Sequence, residues 1–184
     1  AQVESVALAE ADGRVLAESL LAGLDLPPWD NSAMDGYALR LDDWRGEPLA
    51  ISQRIFAGAA PAALQLGTCA RIFTGAPMPA GADCVEMQEN AELQADGRVL
   101  FKQPLKRRQN VRPQGQETRC GEQVLLAGTR LTPIELGLAA SLGVAELRVR
   151  RRPRVAVLST GDELVDPGKA LGPGQIYNSN RQLL

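Results

Sequence analysis

Residues 27–39 read PPWDNSAMDGYAL. The diproline fixes φ at two successive positions and drives the residue before each proline toward extended backbone, so the chain enters Trp29 stiffened. Asp30, Asn31 and Ser32 favour side-chain hydrogen bonds to nearby backbone, and Asp35-Gly36 is a tight-turn dipeptide. Two readings compete. In the first, the stretch is an elaborate turn with Trp29, Met34 and Tyr37 as packing anchors. In the second, Asp35 is a functional carboxylate on a rigid turn, suited to bind a hard cation or to orient a phosphate.

Working outward, four β-rich runs follow: PLAISQRIFAG (48–58), GTCARIFTG (67–75), ADCVEMQE (82–89) and GRVLFKQPL (97–105). Gly, Pro and Asp turns separate them, and this spacing predicts a small, mainly antiparallel β domain over residues 23–121. Before it, residues 3–21 mix short alternation with an apolar segment, and helix and strand compete there. After it, residues 121–149 predict a strand, a turn at Gly128 and a helix. Thr132 is the expected N-cap, with Pro133 at the first helical position and Glu135 completing a capping box. Gly143 is the expected stop. Residues 1–22 and 122–152 are expected to form two halves of one first domain, into which the β domain is inserted.

A boundary lies at RVRRRPRVAVLSTGDELV (148–165), where five arginines surround Pro153. VAVLS reads as a fully buried strand of a parallel sheet, opening a third, α/β unit over residues 153–184. STGDEL (159–164) follows that strand directly, and ligands collect at the carboxyl ends of strands in open α/β sheets. Ser159, Thr160 and Gly161 offer hydroxyls and N–H groups to an anion, and Asp162 and Glu163 offer paired carboxylates suited to Mg²⁺. The alternative is a Ser/Thr helix cap with acids in the first turn. In RIFTGAPMPAGADCVEMQE (71–89), Thr74 stands at a strand end before a Pro-rich turn, as a ligand or as a turn hydroxyl.

Composition narrows the chemistry. The 184 residues are 45% apolar with a formal charge of −2, ordinary for a globular chain. Histidine is absent, which removes His triads, His metal ligands and His proton shuttles. Cys69, Cys84 and Cys120 are odd in number and lack C-x-x-C spacing, so reduced thiols are expected. No apolar run spans a membrane and no signal-peptide pattern is present, so the expected location is cytoplasmic. The basic run KQPLKRRQNVR lacks aromatic interleaving, and no nucleic-acid partner is expected.

Taken in order, PPWDNSAMDGYALR, ARIFTGAPMPAGADCVEMQE, GTRLTPIELGLAASLGVAELRV, RRRPRVAVLSTGDELVDPG and GQIYNSNR resemble the molybdopterin molybdenumtransferases, a family related to the C-terminal domain of gephyrin. The resemblance implies an α/β mixed, multidomain fold: an elongated first domain, an inserted mainly-β domain and the start of a doubly wound, molybdopterin-binding α/β domain. It implies molybdate and adenylylated molybdopterin as substrates, Mg²⁺ as cofactor and AMP as product. Asp35, Thr74 and Glu163 match its catalytic positions, and Ser159, Thr160, Gly161 and Asp162 its cofactor-binding turn. Asp35, Glu117 and Glu163 would be metal ligands. A homodimer is implied, with molybdopterin adenylyltransferase as upstream partner. Gly115-Gln116-Glu117 departs from the family's Gly-Glu-Asp by one lost charge. The chain is expected to be part of a longer protein that also holds the pterin-binding loops. The alternative from another class is a non-catalytic, gephyrin-like scaffold or dimerisation module.

Overall fold

Short alternating apolar runs, broken by glycine and proline, give short strands. A computed structural model describes residues 2–184. In Val3–Arg150 the first seven strands are β1 (Val3–Ala7), β2 (Leu20–Leu21), β3 (Asn31–Ser32), β4 (Gly36–Leu39), β5 (Ala50–Ile55), β6 (Thr68–Ile72) and β7 (Cys84–Met87). There follow β8 (Ala91–Leu93), β9 (Val99–Phe101), β10 (Val111–Arg112), β11 (Gln123–Leu125) and β12 (Glu146–Arg150), with helix α1 (Pro133–Ser141) before the last strand.

The largest sheet has the order β5-β6-β4-β7, and both of its faces are covered. Successive strand residues point to opposite faces, so one side carries Ala38, Ala70, Ile72 and Val85 into a core with Ile55 and Ala76. The other carries Leu39, Cys69 and Cys84 into a core with Leu49, Val99 and Phe101. Double-sided burial explains why these strands read as near-continuous apolar runs. Phe101 meets Tyr37 and Trp44 edge-on at 6.0 and 5.8 Å. Burial pushes the thiols of Cys69 and Cys84 up to about 12, and all three cysteines are free.

The mainly antiparallel expectation needs one correction. β4 is antiparallel to β6 and to β7, but β5 runs parallel to β6. Residues 56–67 make the crossover that a parallel pair requires, because a hairpin cannot join two strands that point the same way.

Away from this sheet, β1 pairs antiparallel with β12, and β2 with β11. Their apolar residues join α1 around Ala11, Leu16, Leu131, Ala139, Leu147 and Val149. Of the two possibilities left open for residues 3–21, strand prevails, with a single 3₁₀ turn over Leu8–Glu10. Glu146, Arg148 and Arg150 alternate outward with Leu147 and Val149 inward, the period of a half-buried strand. Helix α1 starts as its sequence predicts: Thr132 caps it, Pro133 follows, and Glu135 closes the capping box. Gly143 takes the left-handed conformation just past its end.

A second unit comprises Gln2 and Arg151–Leu184. It holds β13 (Leu164–Val165) parallel to β14 (Ile176–Tyr177), then the one-turn helix α2 (Asn180–Leu183). VAVLS does not form the buried strand expected of it. Residues 155–159 have no strand assignment, and Val155 and Leu158 are 76% and 89% exposed. A strand exists only within a ladder, and these residues find no ladder partner among the described residues.

Gly36 permits the close pairing of β4 with β7. A Cβ at this position would lie 1.9 Å from the Glu86 carbonyl oxygen, which is backbone and cannot swing away. Gly36→Ala should therefore destabilise the fold by at least about 2 kcal/mol in denaturant unfolding. A loss below about 0.5 kcal/mol, the level of a neutral surface change, would contradict this packing.

Candidate functional site

Asp35 directly precedes β4, and Thr74 lies two residues past the end of β6. Because Gly36 stands opposite Ile72 in the antiparallel ladder, the two residues meet at one end of the sheet. Oδ1 of Asp35 accepts the Thr74 backbone N–H at 2.7 Å and the Thr74 hydroxyl at 2.8 Å. Hydrogen bonding to the charged form favours it. The Thr74 backbone bond above all, then its hydroxyl and the charge of Arg71, holds the Asp35 carboxyl below its ordinary 3.8. Oδ2 accepts no hydrogen bond from any described residue. The carboxylate is thus ionised, oriented and free on one side, which suits a hard cation or a donor on a ligand.

The rest of the segment is braced from both sides. The Ser32 N–H donates to the Ala76 carbonyl at 3.0 Å, Gly75 donates back to Ser32 at 2.8 Å, and Met78 donates to Asp30 at 2.9 Å. On the other side β3 pairs with β10, and the Asp30 carboxylate accepts from the Gln114 N–H at 2.8 Å and pairs with Arg108. Ser32, fully buried, bonds the Met34 carbonyl through its hydroxyl. The packing-anchor reading fails for Trp29 and Met34, which are 51% and 41% exposed, and holds for Tyr37 alone. What these thirteen residues hold is a carboxylate, pinned between two loops.

The sequence reading passed over Arg71 and Gln88 in this cluster. Arg71 donates to the Gly36 carbonyl at 2.8 Å, and Gln88 donates its N–H to the Asp35 carbonyl at 3.1 Å. Asn31 is 6% exposed, and its side-chain oxygen has no partner among the described residues. The one available signal was a lone arginine inside the apolar strand TCARI. In the basic run, Arg107 pairs with Asp42 and Asp83 and Arg108 with Asp30, so these charges are spent on neighbouring acids.

Glu117 is exposed, and its N–H bonds the Leu26 carbonyl at 2.8 Å. Among the described residues no group of three or more Asp, Glu or Cys side chains stands ready to hold a metal ion. In the second unit, Ser159 and Gly161 line a cleft of about 600 Å³ with Asp166, Lys169, Asn178 and Arg181. Thr160, Asp162 and Glu163 are exposed beside it. Gly161 sits at φ +146°, a backbone conformation that residues with a side chain rarely adopt.

The four-stranded mixed sheet carries an acid–hydroxyl pair at one strand end, and the second unit separately carries a polar cleft after STGDEL in which Lys169 and Arg181 both pair with Asp166. The particular family is equally definite. The family model described as MoeA N-terminal region (domain I and II) matches residues 1–143, and the chain belongs to that family. Molybdopterin molybdenumtransferase of Haemophilus influenzae is 44% identical over 182 residues, covering 98% of this chain and 45% of its own length. Molybdopterin molybdenumtransferase 2 of Mycobacterium tuberculosis is 44% identical over 187 residues, covering 98% and 46%. A crystal structure of the molybdopterin biosynthesis moeA protein from Pyrococcus horikoshii OT3 matches with a TM-score of 0.87 and 31% identity, over 99% of this chain and 50% of that one. The chain spans about half the length of the curated relatives it matches. No helix among the described residues is long and apolar enough to cross a membrane.

The Asp35–Thr74 bonds make a pH prediction. A depressed carboxyl contributes stability above its unfolded pKa, and that contribution is lost as pH falls through the lower folded value. Thr74→Val removes the hydroxyl donor and keeps the backbone N–H, so the Asp35 midpoint, followed by carboxyl NMR, should rise part of the way back to 3.8. An unchanged midpoint would show that the hydroxyl does not act on the carboxylate.

Proposed function

We propose that the protein to which this chain belongs inserts molybdenum into adenylylated molybdopterin and releases AMP, in molybdenum cofactor biosynthesis. The supporting observation is the Asp35–Thr74 pair. Two motifs that lie apart in the sequence are joined by two hydrogen bonds, and one carboxylate oxygen stays free. The donors fit Mg²⁺, which prefers oxygen ligands and keeps several waters. Asp35, Glu117 and Glu163 are the residues that would hold it, drawn from two units and, on this proposal, from two subunits of a homodimer. Bound there, Mg²⁺ would neutralise charge on the phosphoanhydride oxygens.

The remaining work falls to the chain's own groups. Thr74 fixes the orientation of Asp35 and keeps it ionised. Ser159, Thr160, Gly161 and Asp162 supply hydroxyls and N–H groups to phosphate oxygens, next to the cleft in which Lys169 and Arg181 pair with Asp166. Water adds across the phosphoanhydride, one phosphorus–oxygen bond breaks, and AMP leaves. Such a reaction needs positioning and charge stabilisation rather than a histidine. Molybdate ends on the dithiolene sulfurs of the pterin, one of its oxygens leaving as water with the two thiol protons and the metal unchanged in oxidation state, so free, buried cysteines are compatible with the chemistry.

The proposal extends to the organisation of the chain: residues 1–22 and 122–152 as one domain, 23–121 as the insertion, and 153–184 as the opening of a doubly wound domain. A cytoplasmic location and substrate delivery by a molybdopterin adenylyltransferase complete it.

In the intact protein, Asp35→Asn and Glu163→Gln should each reduce Mg²⁺-dependent AMP release by at least about 100-fold with the thermal unfolding midpoint unchanged. Turnover at the unsubstituted rate in both variants would remove the site assignment.

A further inference from the structure

Arg71 is a cation placed where a strand interior normally takes an apolar residue, and among the described residues it forms no ion pair. Its NH1 group donates to the carbonyls of Gly36, at 2.8 Å, and Ile72, at 3.3 Å. Its NH2 group donates to the side-chain oxygen of Gln88. These acceptors belong to the start of β4, the end of β6 and the residue just past β7. The guanidinium carbon lies 4.5 Å from the centre of the Phe73 ring and 5.2 Å from that of Tyr37. Phe73 in turn stacks on Phe56 at 4.7 Å, with the rings 8° from parallel.

We propose that Arg71 is the positioning residue of the Asp35–Thr74 pair, tying together the three strand ends on which that pair depends. Gly36 immediately follows Asp35, and Phe73 immediately precedes Thr74. Gln88, held by Arg71 through its side chain, holds the Asp35 carbonyl through its own N–H at 3.1 Å. Arg71 hydrogen bonds thus reach Gly36 beside Asp35, Ile72 two residues before Thr74, and the residue that holds the Asp35 carbonyl, while the Ser32–Gly75 and Ser32–Ala76 bonds brace the Thr74 loop from its other side. A lysine cannot substitute. One ammonium has the charge, but it lacks the planar fork that reaches several carbonyls in different directions while presenting a face to aromatic rings. Phe73 and Phe56 keep that face in place and limit the other geometries the guanidinium could take.

The consequence for the pair follows from structure alone; the consequence for turnover rests on the functional reading given above. The two are separable in one experiment on the intact protein, with Arg71→Lys and Arg71→Met. The Thr74 amide hydrogen is bonded to Asp35 Oδ1, so its exchange with solvent reports the pair directly. In both variants Thr74 exchange should speed up by at least about ten-fold, while the amides of Ala38, Ala70 and Val85 in the sheet centre change by less than about two-fold. In the same variants kcat for Mg²⁺-dependent AMP release should fall by about 100-fold with KM nearly constant, the pattern of a displaced reacting group rather than a lost binding contact. Faster Thr74 exchange with unchanged turnover would leave the positioning role standing and would count against Asp35 as a working residue. Unchanged Thr74 exchange would overturn the proposal whatever turnover does. Should Arg71→Met fail to fold, Arg71→Lys, which keeps the charge and the aliphatic stem, decides alone.

Discussion

The register of β4 between β6 and β7 sets the geometry of the four-stranded sheet and of the loops at its end. Gly36 faces Ile72 on one side and Met87 on the other, and a one-residue slip on either would carry Ala38 and Leu39 to the wrong cores. The same register puts Asp35 beside Thr74. Burial on both faces therefore fixes, without further cost, the placement of a carboxylate that is not itself buried. The close approach at Gly36 is part of this arrangement, since a side chain there would push β7 away and open the end of the sheet. Glu86, fully buried, reinforces β7 by accepting hydrogen bonds from Met87, Asn90 and Gln109.

The electrostatics at that end are consistent with the packing. Two donors from Thr74 and a nearby cation keep Asp35 charged, and they do so from one side only. Asp30 is likewise depressed, chiefly by the Arg108 side chain, and serves as a brace: Arg108 and the Gln114 N–H occupy its two oxygens. Two aspartates five residues apart thus have different roles because one is saturated with partners and the other is not. Arg108 and Asn110 both sit at positive φ, a backbone cost tolerated in the loop that delivers this clamp.

Much of this was legible in the sequence. The capped helix at Thr132, the short strands and the turn at Asp35-Gly36 rest on local rules of propensity and backbone geometry. The pairing of Asp35 with Thr74 was not local: it depends on a ladder between segments nearly forty positions apart, and the family resemblance marked both as catalytic positions without pairing them. Arg71 escaped notice because a single charge in a strand reads as an outward-facing residue until its acceptors are known. The parallel β5–β6 pair was missed because an irregular crossover has no periodicity to find. VAVLS misled for a related reason. Its composition fits a buried strand, but composition cannot supply a neighbouring ladder.

The claim on which the account depends is that the free oxygen of Asp35 faces a cation and not bulk water. Crystals of the intact protein grown with Mn²⁺ in place of Mg²⁺ would test it by anomalous scattering. The account predicts a peak within coordination distance of Asp35 Oδ2, roughly 2 Å for a hard divalent ion. Peaks only at other sites, with Asp35 surrounded by solvent in every subunit, would contradict it.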